Sequence, residues 1–388
     1  MSVGTLLVVA VGAVLAPLVA EIAPIAVPVV VLEVALGILG GPVLGIAEVD
    51  GVVSALAGLG LGFLFFLAGM EIDLARIDGE PLRRGAAGWV LSLAVAFAVA
   101  GGLTLAGVDL PVVFVAAALS TTAFGTLLPV LRDEGQLETN LGRFVLGAGA
   151  VGEFGPVLIV TLLLSTQSDT ETQLLLLAAF TAVAVLAAAV SVGAVGRGWR
   201  FIESQMETSG QVPVRLTVLL LFGLVVMAAE LGLDVILGAF AAGAILRLLL
   251  RGREVERFES KLDAVGFGLL IPFFFVTSGM TLDLSALVSS ARALIELPVF
   301  LLLFLVVRGI PALLLYRREL DAGGRWSLAL LSGTQLPLVV AITTIGVDAG
   351  HMRVSTAAAL VGAGVLSVLI YPSLALGIAK RSRLEPAT

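Results

Sequence analysis

The sequence predicts an all-α polytopic membrane protein of about thirteen spanning helices, and three observations carry that prediction. The chain is 59% hydrophobic and only 13% charged, against about 25% charged in an average soluble domain. Apolar runs long enough to cross a bilayer recur from end to end. Sequence segments from the first half return in the second after an odd number of such runs.

The runs fall at roughly 5–20, 26–45, 52–70, 85–107, 111–131, 142–165, 174–195, 213–230, 233–250, 265–285, 293–316, 325–347 and 354–378. The first lacks a basic leader and a small-residue cleavage site, so it reads as a spanning helix that is retained. Loops are short, and no soluble domain or low-complexity linker is expected. The loops after odd-numbered runs with their adjoining run ends, together with the C-terminal tail, hold 19 of the 22 Lys and Arg; those after even-numbered runs hold Arg292 and Arg353, and Arg308 lies deep inside a run. Basic residues favour the cytoplasmic side. The expected topology is therefore a multi-pass plasma-membrane protein with its N-terminus outside and its C-terminus in the cytoplasm.

Several function classes are excluded. There is no cysteine and a single histidine, His351, so no disulfide, thiolate or histidine-cluster metal site is expected, and no cofactor. No G-x-x-x-x-G-K-[ST] stretch is present, which argues against ATP-driven pumping. The formal net charge of −7 offers nothing to nucleic acid. The lysine-poor, acidic composition fits a high-salt organism and GC-rich coding equally well.

The internal repetition is specific. Phe63-Leu-Phe-Phe-Leu-Ala-Gly-Met-Glu-Ile-Asp-Leu74 returns as Phe273-Phe-Phe-Val-Thr-Ser-Gly-Met-Thr-Leu-Asp-Leu284, and Leu32-Glu-Val-Ala-Leu-Gly37 returns as Leu233-Asp-Val-Ile-Leu-Gly238. The offset is about 200 residues, or seven runs. An odd offset turns the second copy upside down. The expected organisation is a six-helix repeat in 1–173, a connector in 174–212, and an inverted six-helix repeat in 213–388. Inverted repeats characterise secondary transporters, with the site near the midplane between them. The fifth run carries Ser120-Thr-Thr-Ala-Phe-Gly125 with Pro129 after it; the twelfth carries Ser332-Gly-Thr-Gln-Leu-Pro337. Hydroxyls, Gly and Pro in the middle of an apolar span predict two interrupted helices.

The candidate site is built on Glu153, near the middle of run 142–165 in Gly147-Ala-Gly-Ala-Val-Gly-Glu-Phe-Gly-Pro156. An ionised carboxylate at that depth is costly unless it is paired, hydrated or protonated. The flanking glycines let backbone or water approach. Thr121, Thr122 and Ser120 are candidate oxygen ligands beside it, with Thr334 and Gln335 from the other interrupted run. These hydroxyls and the amide could equally serve to bond back to their own helix. Arg308 is a mid-span cation that does not usefully deprotonate; it is expected to stabilise the helix core, satisfying carbonyls of the broken helices. Glu33, eight residues into the second run, makes a core ion pair or hydrogen bond, with Arg308 as one candidate partner, or is part of the ion pathway.

The chain resembles the monovalent cation:proton antiporters of the Kef/NapA type, the second cation:proton antiporter family. The matching stretches are Glu33…Gly37…Gly41-Pro42, residues 65–73, Ser120-Thr-Thr, Leu237-Gly-Ala-Phe-Ala-Ala-Gly243 and Pro272-Phe-Phe-Phe-Val-Thr-Ser-Gly-Met280. Their order and spacing cover about residues 5–378. The resemblance implies an NhaA-like antiporter fold, with a dimerisation part and a mobile core part holding two crossed, broken helices. It implies a homodimer, and Na+ or Li+ exchanged for H+ in pH homeostasis, with K+ as the alternative cargo. It also implies that Arg308 stands for the family's basic residue, where Arg often accompanies electroneutral exchange. The chain departs from the family at its centre: Gly152-Glu153 stands where a polar residue followed by aspartate is usual. The regulatory nucleotide-binding domain of Kef-type potassium systems is not expected after the last run.

The expected mechanism is alternating access at Glu153, which binds a proton or a dehydrated cation in turn. A single titratable acid with a permanently charged arginine implies one cation for one proton. The alternatives are a cation channel on the same scaffold, a non-transporting membrane protein, and a symporter for an organic anion.

Overall fold

The computed structural model describes residues 3–22, 27–71, 79–164, 210–233, 235–250, 256–289 and 291–384, with isolated positions at 180, 182 and 186. Apart from those three positions, the expected seventh run, 174–195, lies outside the described residues, as does most of the connector. Among the described residues every regular element is helical. In chain order these are α1 (Val3–Ile22), α2 (Val29–Ile38), α3 (Gly51–Glu71), α4 (Glu80–Leu105), α5 (Val112–Leu119), α6 (Phe124–Asp133), α7 (Asn140–Leu164) and α8 (Val212–Glu230). There follow α9 (Val235–Leu250), α10 (Glu256–Val265), α11 (Ile271–Met280), α12 (Leu284–Ser289), α13 (Ala291–Leu315), α14 (Ala322–Ser332), α15 (Pro337–Asp348) and α16 (Val354–Leu384). A π-helical turn, Leu39–Val43, extends α2, and another, Gly266–Leu270, joins α10 to α11.

Eight helical stretches among the described residues are long and apolar enough to cross a membrane, and three shorter apolar helices accompany them. The chain is therefore an all-helical, multi-pass membrane protein. Large apolar side chains such as Leu105, Ile22 and Leu219 are 93%, 81% and 68% exposed, which suits a lipid-facing surface.

The chain divides into two compact units. One comprises Gly51–Asp73 and Val157–Phe274; the other comprises Met1–Asp50, Leu74–Pro156 and Phe275–Thr388. In the first unit α3 and α9 cross at close range. A Cβ on Gly243 would strike the carbonyl of Phe66, and one on Gly69 would strike the carbonyl of Phe240. In the second unit α2 and α11 cross in the same manner, with Gly37 against the carbonyl of Val276 and Gly279 against that of Val34. Without an apolar solvent penalty to drive helices together, small residues allow the backbone approach that gives dispersion contact in lipid.

The two crossings share a geometry. Gly37 and Gly243 each meet the carbonyl three residues before the partner helix's glycine, whereas Gly238 packs on Leu224 of α8.

The second unit also contains the two interruptions. α5 stops at Leu119 and the chain restarts as α6 at Phe124; α14 stops at Ser332 and restarts as α15 at Pro337. Ser120 Oγ donates to the carbonyl of Ala117 and Thr121 Oγ1 to that of Ala118, both at 2.9 Å. These side chains compete with the backbone for the last carbonyls of α5 and help to end it. Pro337 lacks an N–H and has a fixed φ, so it starts a helix without loss. Asp321 caps α14 by accepting from the N–H of Gly324 at 2.8 Å.

Replacing Gly37 by Val is expected to force α2 from α11 and to destabilise by about 1–3 kcal/mol, as overpacked cores do. A thermal-shift measurement on purified protein checks this. Gly58→Val serves as the control, since nothing lies within 4 Å of a Cβ there.

Candidate functional site

The two interruptions touch, and the contact is made largely by backbone. The N–H of Ala123 donates to the carbonyl of Thr334 at 2.8 Å, and that of Thr122 donates to the carbonyl of Gly152 on α7 at 3.0 Å. Gln335 completes the junction: its Nε2 donates to the carbonyl of Leu119 at 3.0 Å, and its Oε1 lies 3.0 Å from Thr121 Oγ1. Thr121 has one hydroxyl proton for two acceptors, Ala118 and Gln335. Ser367 on α16 holds the far side, accepting from the N–H of Gln335 at 2.9 Å. Every one of these groups is buried among apolar helices, where an unmade bond is expensive.

Arg308 of α13 is the hub. It is 3% exposed. Its Nε donates to Thr122 Oγ1 at 3.0 Å and more weakly to the carbonyl of Ser332 at 3.4 Å. Nη1 donates to Ser92 Oγ on α4 at 3.2 Å, and Nη2 to the carbonyl of Ala148 on α7 at 3.1 Å. Thr122 passes the bond on, its hydroxyl donating to the carbonyl of Ser332 at 2.8 Å. One guanidinium therefore links four helices to the junction. Arginine's planar fork of five donors suits this task; a lysine point charge does not reproduce it.

Glu153 lies in the middle of α7 and is 2% exposed. Its Oε2 accepts from the N–H of Gly125 at 3.3 Å. Gly125 is the second residue of α6, so the carboxylate faces the positive end of a helix that exists only because the span is interrupted. Among the described residues no Lys or Arg lies within ion-pair distance of Glu153. The glycines around it make room for neighbours. A Cβ on Gly152 would lie 2.5 Å from Arg308 Nη2 and 2.6 Å from Thr122 Oγ1, and one on Gly155 would lie 2.5 Å from the Trp89 ring.

Thr121, Thr122, Thr334, Gln335 and Arg308 thus meet at the junction. The hydroxyls of Ser120, Thr121 and Thr122 are engaged with carbonyls or Gln335, and Glu153 joins the group through the Gly125 N–H. One open alternative for Glu33 is not observed, and one expected placement differs. Glu33, 4% exposed on α2, makes no ion pair with Arg308, whose guanidinium is directed instead at carbonyls and hydroxyls. Pro129 lies six residues into α6, beyond the interruption; the break comes from Ser120 to Ala123. Sequence reasoning did not find Ser92, Ser367 or the Gly125 N–H. The serines were visible as polar residues in apolar runs; the N–H had no side-chain signal.

A cavity of about 320 Å³ lies at the C-terminal ends of α11 and α15. Asp283, Asp348, Thr281, Thr343 and Thr344 line it, and it extends to Val340, three residues past Pro337.

Residues 9–376 match the family described as sodium/hydrogen exchanger, transmembrane. The chain belongs to this cation:proton antiporter family. It is 29% identical over 392 residues to the "Putative Na(+)/H(+) antiporter YjbQ" of Bacillus subtilis (strain 168), covering 96% of this chain and 62% of that one. It is 29% identical over 346 residues to the Na(+)/H(+) antiporter NhaS5 of Synechocystis, covering 86% of this chain and 47% of that one. The chain therefore spans less than two thirds of the length of either relative. In fold it is similar to the sodium proton antiporter MjNhaP1 of Methanocaldococcus jannaschii, with a TM-score of 0.65, 16% identity, and coverage of 98% and 97% of the two chains.

Gly152→Ala is expected to push the guanidinium off Ala148 and to lower stability by about 2 kcal/mol, the scale for a buried charged donor left unbonded. Chemical or thermal denaturation of the purified protein measures it.

Proposed function

We propose that the chain is a secondary antiporter that exchanges a monovalent cation, Na+ or Li+, for H+ by alternating access at Glu153. The observation that carries this reading is a carboxylate buried mid-span, facing a helix N-terminus and unpaired with any cation among the described residues. Such an acid can be neutralised in turn by a proton or by a dehydrated cation. Either partner lowers the cost of carrying the site past an apolar barrier, and the charged, unoccupied form resists that movement. Exchange is then obligatory and needs no ATP. The junction offers hard oxygen donors nearby, which suit sodium or lithium. The activities in the names of the relatives and family membership support the same reading.

Arg308 is engaged with uncharged groups and stays charged through the cycle. One titratable acid per site then gives one cation for one proton, hence electroneutral exchange. The 320 Å³ cavity is the outward access route in this scheme, and Asp348, at the negative end of α15, recruits cations to it. The paired glycine crossings, Gly37 with Gly279 and Gly243 with Gly69, support an inverted-repeat organisation of thirteen spans: 1–173, a connector in 174–212, and 213–388. In this reading the protein is a plasma-membrane homodimer, its N-terminus outside and its C-terminus in the cytoplasm.

In proteoliposomes, Glu153→Gln is expected to abolish cation-driven dequenching of a pH dye, while undiminished exchange would remove Glu153 from the mechanism. Potassium-driven exchange exceeding that with sodium would make the cargo K+. Cation flux without proton movement would make the protein a channel. Wild-type exchange should give no current on a solid-supported membrane. Asp348→Asn is expected to raise the apparent KM for Na+ by about two- to threefold at low ionic strength, with the difference shrinking as salt screens the charge.

A further inference from the structure

Behind the guanidinium of Arg308 lies a small cavity bounded by α4, α7, α13 and α14, with room for a single water, about 10 Å³. Trp89, Tyr316 and Arg308 bring polar groups to its wall. Trp89 Nε1 and the Tyr316 hydroxyl are both buried without a hydrogen-bond partner. The tyrosine itself is 2% exposed, held edge-on by the ring of Phe144 with centroids 5.2 Å apart. An indole N–H and a phenol hydroxyl left unbonded here would each carry a desolvation cost that native structures avoid. Arg308 has five N–H groups, and its protein partners occupy Nε and one N–H on each Nη. Two remain.

We propose that this cavity binds one ordered water that accepts from Trp89 Nε1–H and from Arg308, exchanges a hydrogen bond with Tyr316 Oη, and so fixes the rear of the guanidinium while its front holds the junction. The ligand class follows from the donors and the space. No acidic side chain lines the cavity, so a cation finds no counter-charge. A bare anion in a one-water space would lose its hydration. Water can accept from the indole and guanidinium, and it can donate to Tyr316 Oη. Pro311, also on the wall, has no N–H for the carbonyl of Val307 one turn earlier, which leaves a further acceptor on that helix. Tyr316 also lies within electrostatic reach of Arg84 and Glu319. These two form an ion pair close by, and Glu319 Oε2 is itself buried without a partner. Polar groups thus continue from Arg308 toward that end of α13. Tyr316 is a positioning residue in this arrangement, acting on the junction through water and Arg308.

The test turns on the sign of an effect. If the site is dry, Tyr316→Phe deletes an unbonded buried hydroxyl and raises the melting temperature. If water bridges it, the same change removes a bonded partner and lowers the melting temperature by about 2 °C. Gly88→Ala supplies the second arm. Its methyl would meet Pro311 Cβ at 3.7 Å and Tyr316 Oη at 3.9 Å, ordinary contacts that fill space at the cavity without a clash. Alanine is favoured over glycine in a helix interior, so the diagnostic quantity is the coupling: with water bound, Tyr316→Phe costs little in the Gly88→Ala background although it lowers the melting temperature of the wild type. A stabilising Tyr316→Phe, or full additivity of the two changes, overturns the proposal. The measurements use purified wild-type and variant protein in detergent, in chloride and in gluconate. A chloride-dependent shift would replace water with an anion and overturn the assignment. These arms do not depend on transport. The positioning role rests on the exchange reading: Tyr316→Phe should move the midpoint of the pH profile of Na+/H+ exchange in proteoliposomes, and an unmoved profile overturns that role.

Discussion

A permanent positive charge in the middle of a helical bundle constrains everything near it. Arg308 cannot shed its proton, so its surroundings must supply acceptors. They do so from three helices and one interruption: a serine hydroxyl on α4, a threonine hydroxyl at the first interruption, and carbonyls of α7 and α14. The carbonyl of Ser332 is available because α14 ends there. The Ala148 carbonyl is reachable because Gly152, one turn later, has no side chain. Break, glycine and hydroxyl are thus parts of one solution to one charge.

The same interruptions also keep the two charges of the site apart. Glu153 faces the N-terminal end of α6, and Arg308 faces the C-terminal end of α14. Each is stabilised by the partial charge of a helix end rather than by the other. A direct Glu–Arg pair would be a poor exchanger, since a proton or cation would have to displace a desolvated arginine. Backbone dipoles solvate the carboxylate without competing for it as strongly as a full charge would, and under the proposed exchange they would leave oxygen lone pairs for an incoming ion. Hydroxyl and amide side chains then serve mainly to hold the dipoles in place.

Much of this was legible in the sequence, for identifiable reasons. Ser120-Thr-Thr and Ser332-Gly-Thr-Gln mark the interruptions because polar, helix-weakening residues inside apolar runs have few other uses. Glu153 and Arg308 stand out because charge at that depth is costly. The details hidden from sequence are backbone groups. Gly125 contributes its N–H, which every residue but proline could offer, and Ala148 its carbonyl, which every residue could offer. A Glu33–Arg308 pair was open only because they are two mid-span charges of opposite sign. Pro129 looked like a breaker, yet a proline six residues into α6 sits after the break that the preceding hydroxyls had already made.

The contact between Gly152 and the guanidinium has a consequence for how such a site can change over generations. A side chain at position 152 and an arginine at 308 compete for one volume, so their substitutions are epistatic. A side chain at 152 has to be matched by a different course of the guanidinium or a wider spacing of α7 and α13. The acceptors at Ser92, Thr122 and Ala148 share in that coupling, because each loses its donor when the guanidinium moves.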